Sequence, residues 1–239
     1  MPTQLPLPSA SAAEVQVSGR HAALALAEAA ARCAADGGAK LSLIAVGPLT
    51  NVALALQLEP RLPALLECFA AMGGTDSADG NAGDGAAEYN FFIDPEAAHL
   101  ALSKMPSTKV VTWECTMRHR IPWAQMERWA AADTPRAQFF SAICEQSVAR
   151  VKSNTQAQSG EEGWVACDPL ALACVLWPEI VQKCEERHCE IELQGARTRG
   201  MSVIDRRPWG GGEKNVSIVS EIDTAAFCVL MEAAMAEDE

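Results

Sequence analysis

The 239-residue sequence has no uninterrupted apolar stretch of the roughly 18 residues that a membrane span needs, which excludes an anchoring helix. It has no basic excess either. Nineteen Lys and Arg against 31 Asp and Glu give a net charge of -12, so there is no cationic footprint for nucleic acid or for an anionic membrane, and a small molecule or a protein is the expected partner. The nine cysteines, at 33, 68, 115, 144, 167, 174, 184, 189 and 228, form no C-x-x-C pair and are odd in number, which argues against a disulfide framework or a zinc ribbon. Most of them sit in apolar company, as buried thiols of a reducing compartment do, so a cytoplasmic location is expected. The four histidines, at 21, 99, 119 and 188, make no metal-spaced pair. Before Arg20 there is no Lys or Arg and no continuous apolar block, unlike a secretory or transit signal.

What is present is a 49% hydrophobic chain, ample for a buried core, in which short apolar runs alternate with helical patterns. Residues 1–19 are Pro/Ser/Ala-rich and are expected to be disordered or loosely ordered, with one domain over 20–239. His21 to Ala35 reads as a helix, followed by a Gly37-Gly38 break and a buried strand over Leu41 to Val46. Gly47-Pro48 turns the chain into a helix over Leu49 to Leu58. A strand over Cys68 to Met72 ends at Gly73-Gly74, Phe91 to Ala101 enters a helix through Asp94-Pro95, and Lys109 to Trp113 is another β-branched run. Trp123 to Val151 reads as helical with a break near Pro135, Lys152 to Gly163 as a polar loop and Pro169 to Leu176 as a buried helix. The tail reads as β-rich from Glu190, with a last helix from Thr224. Alternating strands and helices predict an open, mostly parallel, helix-covered α/β sheet.

Three constellations carry chemistry. Ala45-Val-Gly-Pro-Leu-Thr-Asn51 lies at the carboxyl end of a strand, where open α/β sheets bind ligands, and it is also a plain turn whose Pro48 presets a helix start. Met72-Gly-Gly74 leads through an acidic glycine-rich loop to Gly80-Asn81 and Glu88-Tyr-Asn90. In an extended backbone Glu88 and Asn90 would point to one side and Tyr89 and Phe91 to the other, pairing a carboxylate with an amide that suits sugar hydroxyls; a solvated loop before a core strand is the plainer alternative. The loop fails as an EF-hand because position five would be Gly83 and the closing glutamate would fall on Asn90. In Trp164-Val-Ala-Cys-Asp-Pro-Leu-Ala171, Asp168 is either a metal-binding carboxylate or a helix N-cap ahead of Pro169, the arrangement that Asp94-Pro95 also offers. Cys167 is either a nucleophile, with no evident histidine partner, or buried packing.

Taken in order, Val46-Gly-Pro-Leu-Thr-Asn51, Met72-Gly-Gly74, Gly80-Asn81, Ala87-Glu-Tyr-Asn90, Asp94-Pro-Glu-Ala-Ala98 and Cys167-Asp-Pro-Leu-Ala171 resemble the inosine-uridine-preferring nucleoside hydrolases. More loosely, the resemblance runs from the helix at His21 to Asn215-Val-Ser-Ile-Val219. It implies a Rossmann-like fold and calcium-assisted attack of water on the N-glycosidic bond of a ribonucleoside. It implies that the Val46 carbonyl and the Asp168 carboxylate hold Ca2+, and that Asn81, Glu88 and Asn90, with Met72 nearby, hold the ribose hydroxyls. It places Cys167 on the leaving-base side, where many members carry a histidine. A homo-oligomer is the expected assembly.

The resemblance also implies an opening strand with an aspartate cluster of the form D-x-D-x-x-x-D-D, whereas the only aspartate before Leu41 is Asp36. The expectation is therefore a truncated member lacking its first strands, short by about two or three βα units at about 30 residues each, and inactive as it stands. The alternative expectation is a non-catalytic remnant that binds a nucleoside or a homologous subunit.

Overall fold

The computed structural model describes residues 18–35, 39–83, 85–157, 163–207, 209–210 and 212–236, with the backbone alone over 154–157. Residues 1–17 of the expected loose start, the Gly37-Gly38 break, Asp84 and residues 158–162 lie outside the described residues.

The larger of two compact units holds the sheet. Its strands are β1 (Leu41–Ala45), β2 (Leu66–Met72), β3 (Thr108–Val111), β4 (Val181–Ile191), β5 (Ser202–Asp205) and β6 (Val216–Ile222), in the spatial order β1-β2-β3-β6-β4-β5. β1 pairs with β2, β2 with β3 and β3 with β6, all parallel. β4 runs antiparallel to β6, and β5 antiparallel to β4. The fold is thus the expected mostly parallel α/β sheet.

Burial along the strands follows from these positions. Phe69 to Met72 of β2 are buried without alternation, as a central parallel strand covered on both faces requires. Among the described residues β1 is an edge, paired with β2 alone, and its Leu41, Leu43 and Ile44 are only half-buried where a fully buried strand was expected. β4 begins at Val181, well before the predicted Glu190. Its run Gln182-Lys-Cys-Glu-Glu-Arg187 has no apolar stretch to mark it, because an antiparallel strand with one solvated face can be almost wholly polar.

The helices of this unit are α1 (Ala22–Ala35), α2 (Thr50–Leu58), α3 (Leu62–Leu65), α4 (Tyr89–Ile93), α5 (Pro95–Lys104), α6 (Trp113–Arg118) and α9 (Cys167–Leu176). α1 buries Ala23, Ala27 and Ala30, small residues at i, i+4 and i+7, and this low face packs against α2. The same core includes Leu49, Leu56, Leu62, Phe91 and Leu102, all nearly sealed from solvent. Trp113 starts α6 and does not extend β3.

The second unit is helical. Among its described residues, within 119–166 and 223–236, it contains α7 (Trp123–Ala130), α8 (Pro135–Ala157) and α10 (Thr224–Met235). The break between α7 and α8 falls where Pro135 placed it. The expected polar loop from Lys152 is helical as far as Ala157, because the polar residues after Val151 continue α8. Phe140 meets Trp129 and Trp164 edge-on, with ring centroids 6.2 and 5.8 Å away. Asp223 caps α10 by accepting from the Ala226 amide at 2.9 Å.

Candidate active site

The carboxyl ends of β1, β2 and β3 deliver Val46, Met72-Gly73-Gly74 and Thr112 to Thr116, the location at which parallel α/β sheets bind ligands. Gly73 and Gly74 make the turn after β2. A Cβ on Gly73 would lie 2.4 Å from the Phe91 ring, and Gly74 has φ +69°, so glycine is required at both.

Glu88 is only 2% exposed and sits directly behind this turn. Its backbone is extended, but α4 begins at Tyr89, so the alternation expected for Glu88 to Phe91 does not occur. Tyr89 is exposed while Phe91 is fully buried. Glu88 and Asn90 nevertheless converge on the end of β2, by capping geometry. Glu88 Oε1 accepts from the Asn90 amide at 2.8 Å, and Oε2 accepts from Gly74 at 3.0 Å and Phe91 at 3.2 Å. Asn90 Nδ2 donates to the Met72 carbonyl at 3.0 Å and lies 3.5 Å from the Met72 sulfur. Asn81 is exposed and its Oδ1 accepts from the Tyr89 amide at 2.8 Å, which fixes the start of α4. Asn90 Oδ1 and Asn81 Nδ2 have no partner among the described residues and remain available to a ligand.

Asp168 lies inside the first turn of α9, which begins at Cys167, and is not its N-cap. Asp94, by contrast, does cap: it accepts from the Ala97 amide at 3.1 Å and from Thr50 Oγ1 at 2.5 Å. The carboxylate of Asp168 has no hydrogen bond or ion pair among the described residues. The residue opens to solvent, yet enough protein crowds its carboxyl to raise its pKa. Glu88 is raised as well, first by burial, against the lowering effect of the amides of Asn90, Gly74 and Phe91, with a further push from the Asp168 charge. The Asp168 charge therefore acts on the Glu88 carboxyl at the head of the sheet, and no Lys or Arg side chain offsets either.

The Cys167 thiol, largely desolvated, is pushed up to about 11 and lies 3.6 Å from Thr116 Oγ1. It is a neutral thiol at physiological pH and lacks the thiolate a nucleophile needs. Val46 is exposed in the turn after β1.

Two contributors escape the sequence reading. Thr116, fully buried, contacts Cys167 and donates to the Trp113 carbonyl at 2.8 Å. Glu114, 6% exposed, collects the amides of Asp76 and Ser77 at 2.8 Å each and that of Asp79 at 3.3 Å, so the acidic loop after Gly74 is folded around a buried carboxylate. The only available signal was their place just after a strand.

Oxygen donors of the kind a hard cation takes are present in Asp168 and in main-chain carbonyls, and a partly desolvated carboxylate without a partner fits such an ion. Among the described residues, no three His, Cys, Asp or Glu side chains gather into a metal-holding group. Nor is any described helix long and apolar enough to cross a membrane.

Comparison with known proteins finds relatives among the ribonucleoside hydrolases. A pyrimidine-specific ribonucleoside hydrolase of Klebsiella pneumoniae is 30% identical over 204 residues, covering 85% of this chain and 64% of the relative. One from an Enterobacter species is 31% identical over 197 residues, covering 82% and 61%. The chain thus spans somewhat less than two thirds of these relatives. The solved structure of an inosine-guanosine nucleoside hydrolase superposes with a TM-score of 0.80 at 25% identity, covering 92% of this chain and 70% of that one. The model of the inosine-uridine preferring nucleoside hydrolase family matches residues 3–228, and the chain belongs to that family.

Proposed function

We propose that this chain carries the sugar-holding and leaving-group side of a ribonucleoside hydrolase site, at which water adds across the bond between the ribose C1′ and the base nitrogen. The observation that carries this reading is the meeting of Glu88, Asn90 and Met72 with a partnerless Asp168 at the carboxyl ends of parallel strands. Family membership and the names of the relatives support it.

Each residue then has a task. The three amides on Glu88 hold its carboxylate rigid, so its negative charge is aimed in advance at the positive charge that grows on an oxocarbenium-like sugar. Asn90 Oδ1 accepts from a ribose hydroxyl and Asn81 Nδ2 donates to one. Asp168 and the Val46 carbonyl would hold a calcium ion, which when bound supplies Lewis acidity that grips the sugar diol and acidifies water. Cys167, neutral at its raised pKa, would turn its weak S–H donor from Thr116 Oγ1 toward the departing base.

Asp168 and one carbonyl are far fewer than the six to eight oxygens such an ion takes, so these 239 residues alone should release negligible ribose. The experiment measures ribose release from inosine and uridine, with and without calcium. It uses the chain alone and the chain fused ahead of His21 to the aspartate-bearing opening segment of a relative. Only the fusion should be active, and Asp168→Ala should abolish both its activity and its calcium binding. Calcium-dependent turnover by the chain alone at a relative's rate would overturn the expectation of inactivity. A folded, calcium-binding fusion whose turnover ignores Asn90→Ala and Glu88→Ala would overturn the ribose assignment. A fusion that binds nucleoside without turning it over would favour the alternative of a nucleoside-binding module.

A further inference from the structure

The acidic loop that carries Asn81 is gripped from behind by one carboxylate on α6. Glu114, 6% exposed, takes the Asp76 amide on Oε2 at 2.8 Å. Its Oε1 takes the amides of Ser77 at 2.8 Å and Asp79 at 3.3 Å, with the Ser77 hydroxyl at 3.1 Å. The two amides on Oε1 bracket Ala78, whose φ is +61°. That left-handed conformation is disfavoured for alanine and persists where the surroundings impose it. Here Glu114 imposes it, because folding the chain back at residue 78 brings the amides on both sides to one oxygen. Asp76 is fixed further by Arg118 Nη2 at 2.8 Å and the Thr112 hydroxyl at 3.3 Å, both donating to its Oδ2.

Past this turn the chain has little freedom left. A Cβ on Gly80 would run into the Ala87 carbonyl, Gly80 donates to the Gly85 carbonyl at 2.6 Å, and Asn81 donates to that of Ala87 at 3.0 Å. Gly80 alone separates Asp79, held by Glu114, from Asn81, whose Oδ1 accepts from the Tyr89 amide at 2.8 Å. Asn81 is thus fixed from the Ala87 side by main-chain bonds and from the Asp79 side by Glu114.

We propose that Glu114 is a positioning residue for the sugar subsite: by imposing the left-handed turn at Ala78 it sets Asn81 so that Nδ2 faces the sugar while Oδ1 caps α4. The inference rests on the assignment of Asn81 to a ribose hydroxyl, and Glu114 itself touches no substrate. An ionised carboxylate suits the task, since it accepts on two oxygens and donates nothing, so three amides and a hydroxyl share it. A glutamine there would turn an NH2 group toward at least one of those amides.

The test compares the chain with Glu114→Gln, Asn81→Ala, the two combined, and Glu114→Gln joined to Ala78→Gly, by amide hydrogen exchange and by titration with ribose followed by NMR. Glu114→Gln should speed exchange at Tyr89, whose amide depends on Asn81 Oδ1, by about five- to tenfold, the worth of one hydrogen bond. Gly74 and Phe91, held by Glu88, should stay as slow as in the parent. Ribose affinity should fall by a similar factor in Glu114→Gln and in Asn81→Ala, and no further in the two combined, because the first acts through the second. Glycine takes a left-handed φ without strain, so adding Ala78→Gly to Glu114→Gln should return Tyr89 protection and ribose affinity toward the parent. A carboxylate that merely fills the core would show neither the non-additivity nor the rescue. Unchanged Tyr89 exchange in Glu114→Gln, equal acceleration at Gly74 and Phe91, additive losses in the combined variant, or no rescue by glycine would each overturn the proposal. If ribose binds none of these chains, the ribose reading of Asn81 fails, and Tyr89 exchange with its rescue alone decides whether Glu114 positions the loop.

Discussion

Replacing Glu88 by alanine should damage the fold as well as the chemistry. The carboxylate is 2% exposed and satisfies the amides of Gly74, Asn90 and Phe91. Gly74 and Phe91 are themselves buried, so in Glu88→Ala no water replaces the lost acceptor at either, at about 1–3 kcal/mol per amide. The half-exposed Asn90 amide recovers a water. Against this, alanine removes a charge that burial disfavours, which offsets part of the loss. The net expectation is about 3 kcal/mol, or a fall in Tm of roughly 6–12 °C at this chain length.

Glu88→Gln should lose only about 1 kcal/mol: its one oxygen can serve Gly74 and Phe91 while the amide nitrogen faces the Asn90 N–H. The glutamine also tests the electrostatics. Because burial raises the folded-state pKa of Glu88, the folded protein takes up its proton first as pH falls. Its contribution to stability should therefore grow as pH drops from that raised value to the ordinary 4.5, and flatten below it. That portion of the pH dependence should vanish in Glu88→Gln. Urea unfolding, with hydrogen exchange at Gly74 and Phe91, decides the matter. Unfolding of Glu88→Ala within about 0.5 kcal/mol of the parent, or unchanged exchange at both amides, would refute the reasoning.

Two other predictions follow from burial and edges. Exposed Cys184 should be alkylated by iodoacetamide well before Cys167, whose thiol is pushed up to about 11, and before buried Cys115, pushed up to about 12; early labelling of Cys167 in peptide mass maps would contradict its neutral state. Among the described residues β1 presents an unpaired edge with half-buried Leu41, Leu43 and Ile44, so the chain should self-associate, and Ser42→Lys, at an exposed position of that edge, should shift it toward monomer; a monodisperse wild-type monomer in light scattering would refute this.

The parallel core was legible wherever local pattern and tertiary role agree. Phe69 to Met72 is apolar and buried on both faces, and Gly73-Gly74 ends it because the Phe91 ring leaves no room for a side chain. Legibility failed where pattern depends on partners. The charged first half of β4 becomes a strand only because β6 supplies its ladder, and Leu41 to Ala45 looks like a buried strand yet lies at an edge, since an apolar run does not report how many neighbours it has. Within the site, the convergence of Glu88 and Asn90 was anticipated but its cause was not. An N-cap carboxylate and a strand alternation bring the same two residues together, and only the first makes Glu88 a structural acceptor. Glu114 carried no signal beyond its position, because its role depends on a loop some 35–38 residues earlier in the chain.

Asp94 and Asp168 show where sequence stops and geometry begins. Each precedes a proline at a helix start, and nothing local separates them. Asp94 spends its carboxylate on the Ala97 amide and the Thr50 hydroxyl, so its charge is already used in holding α2 to α5. Asp168, the second residue of its helix, has no such use, and the crowding that raises its pKa makes the bare carboxylate less favourable than an ordinary surface aspartate. On the proposed reading, such a group at the head of the parallel strands is there for a ligand. The consequence is measurable without turnover. Followed by carboxyl NMR, Asp168 should titrate above the usual 3.8, and calcium in the aspartate-repaired fusion should pull it below that value while leaving Asp94 unmoved. If calcium binds the fusion and the Asp168 titration does not move, the carboxylate is not a ligand, and its emptiness must be explained by something other than a metal.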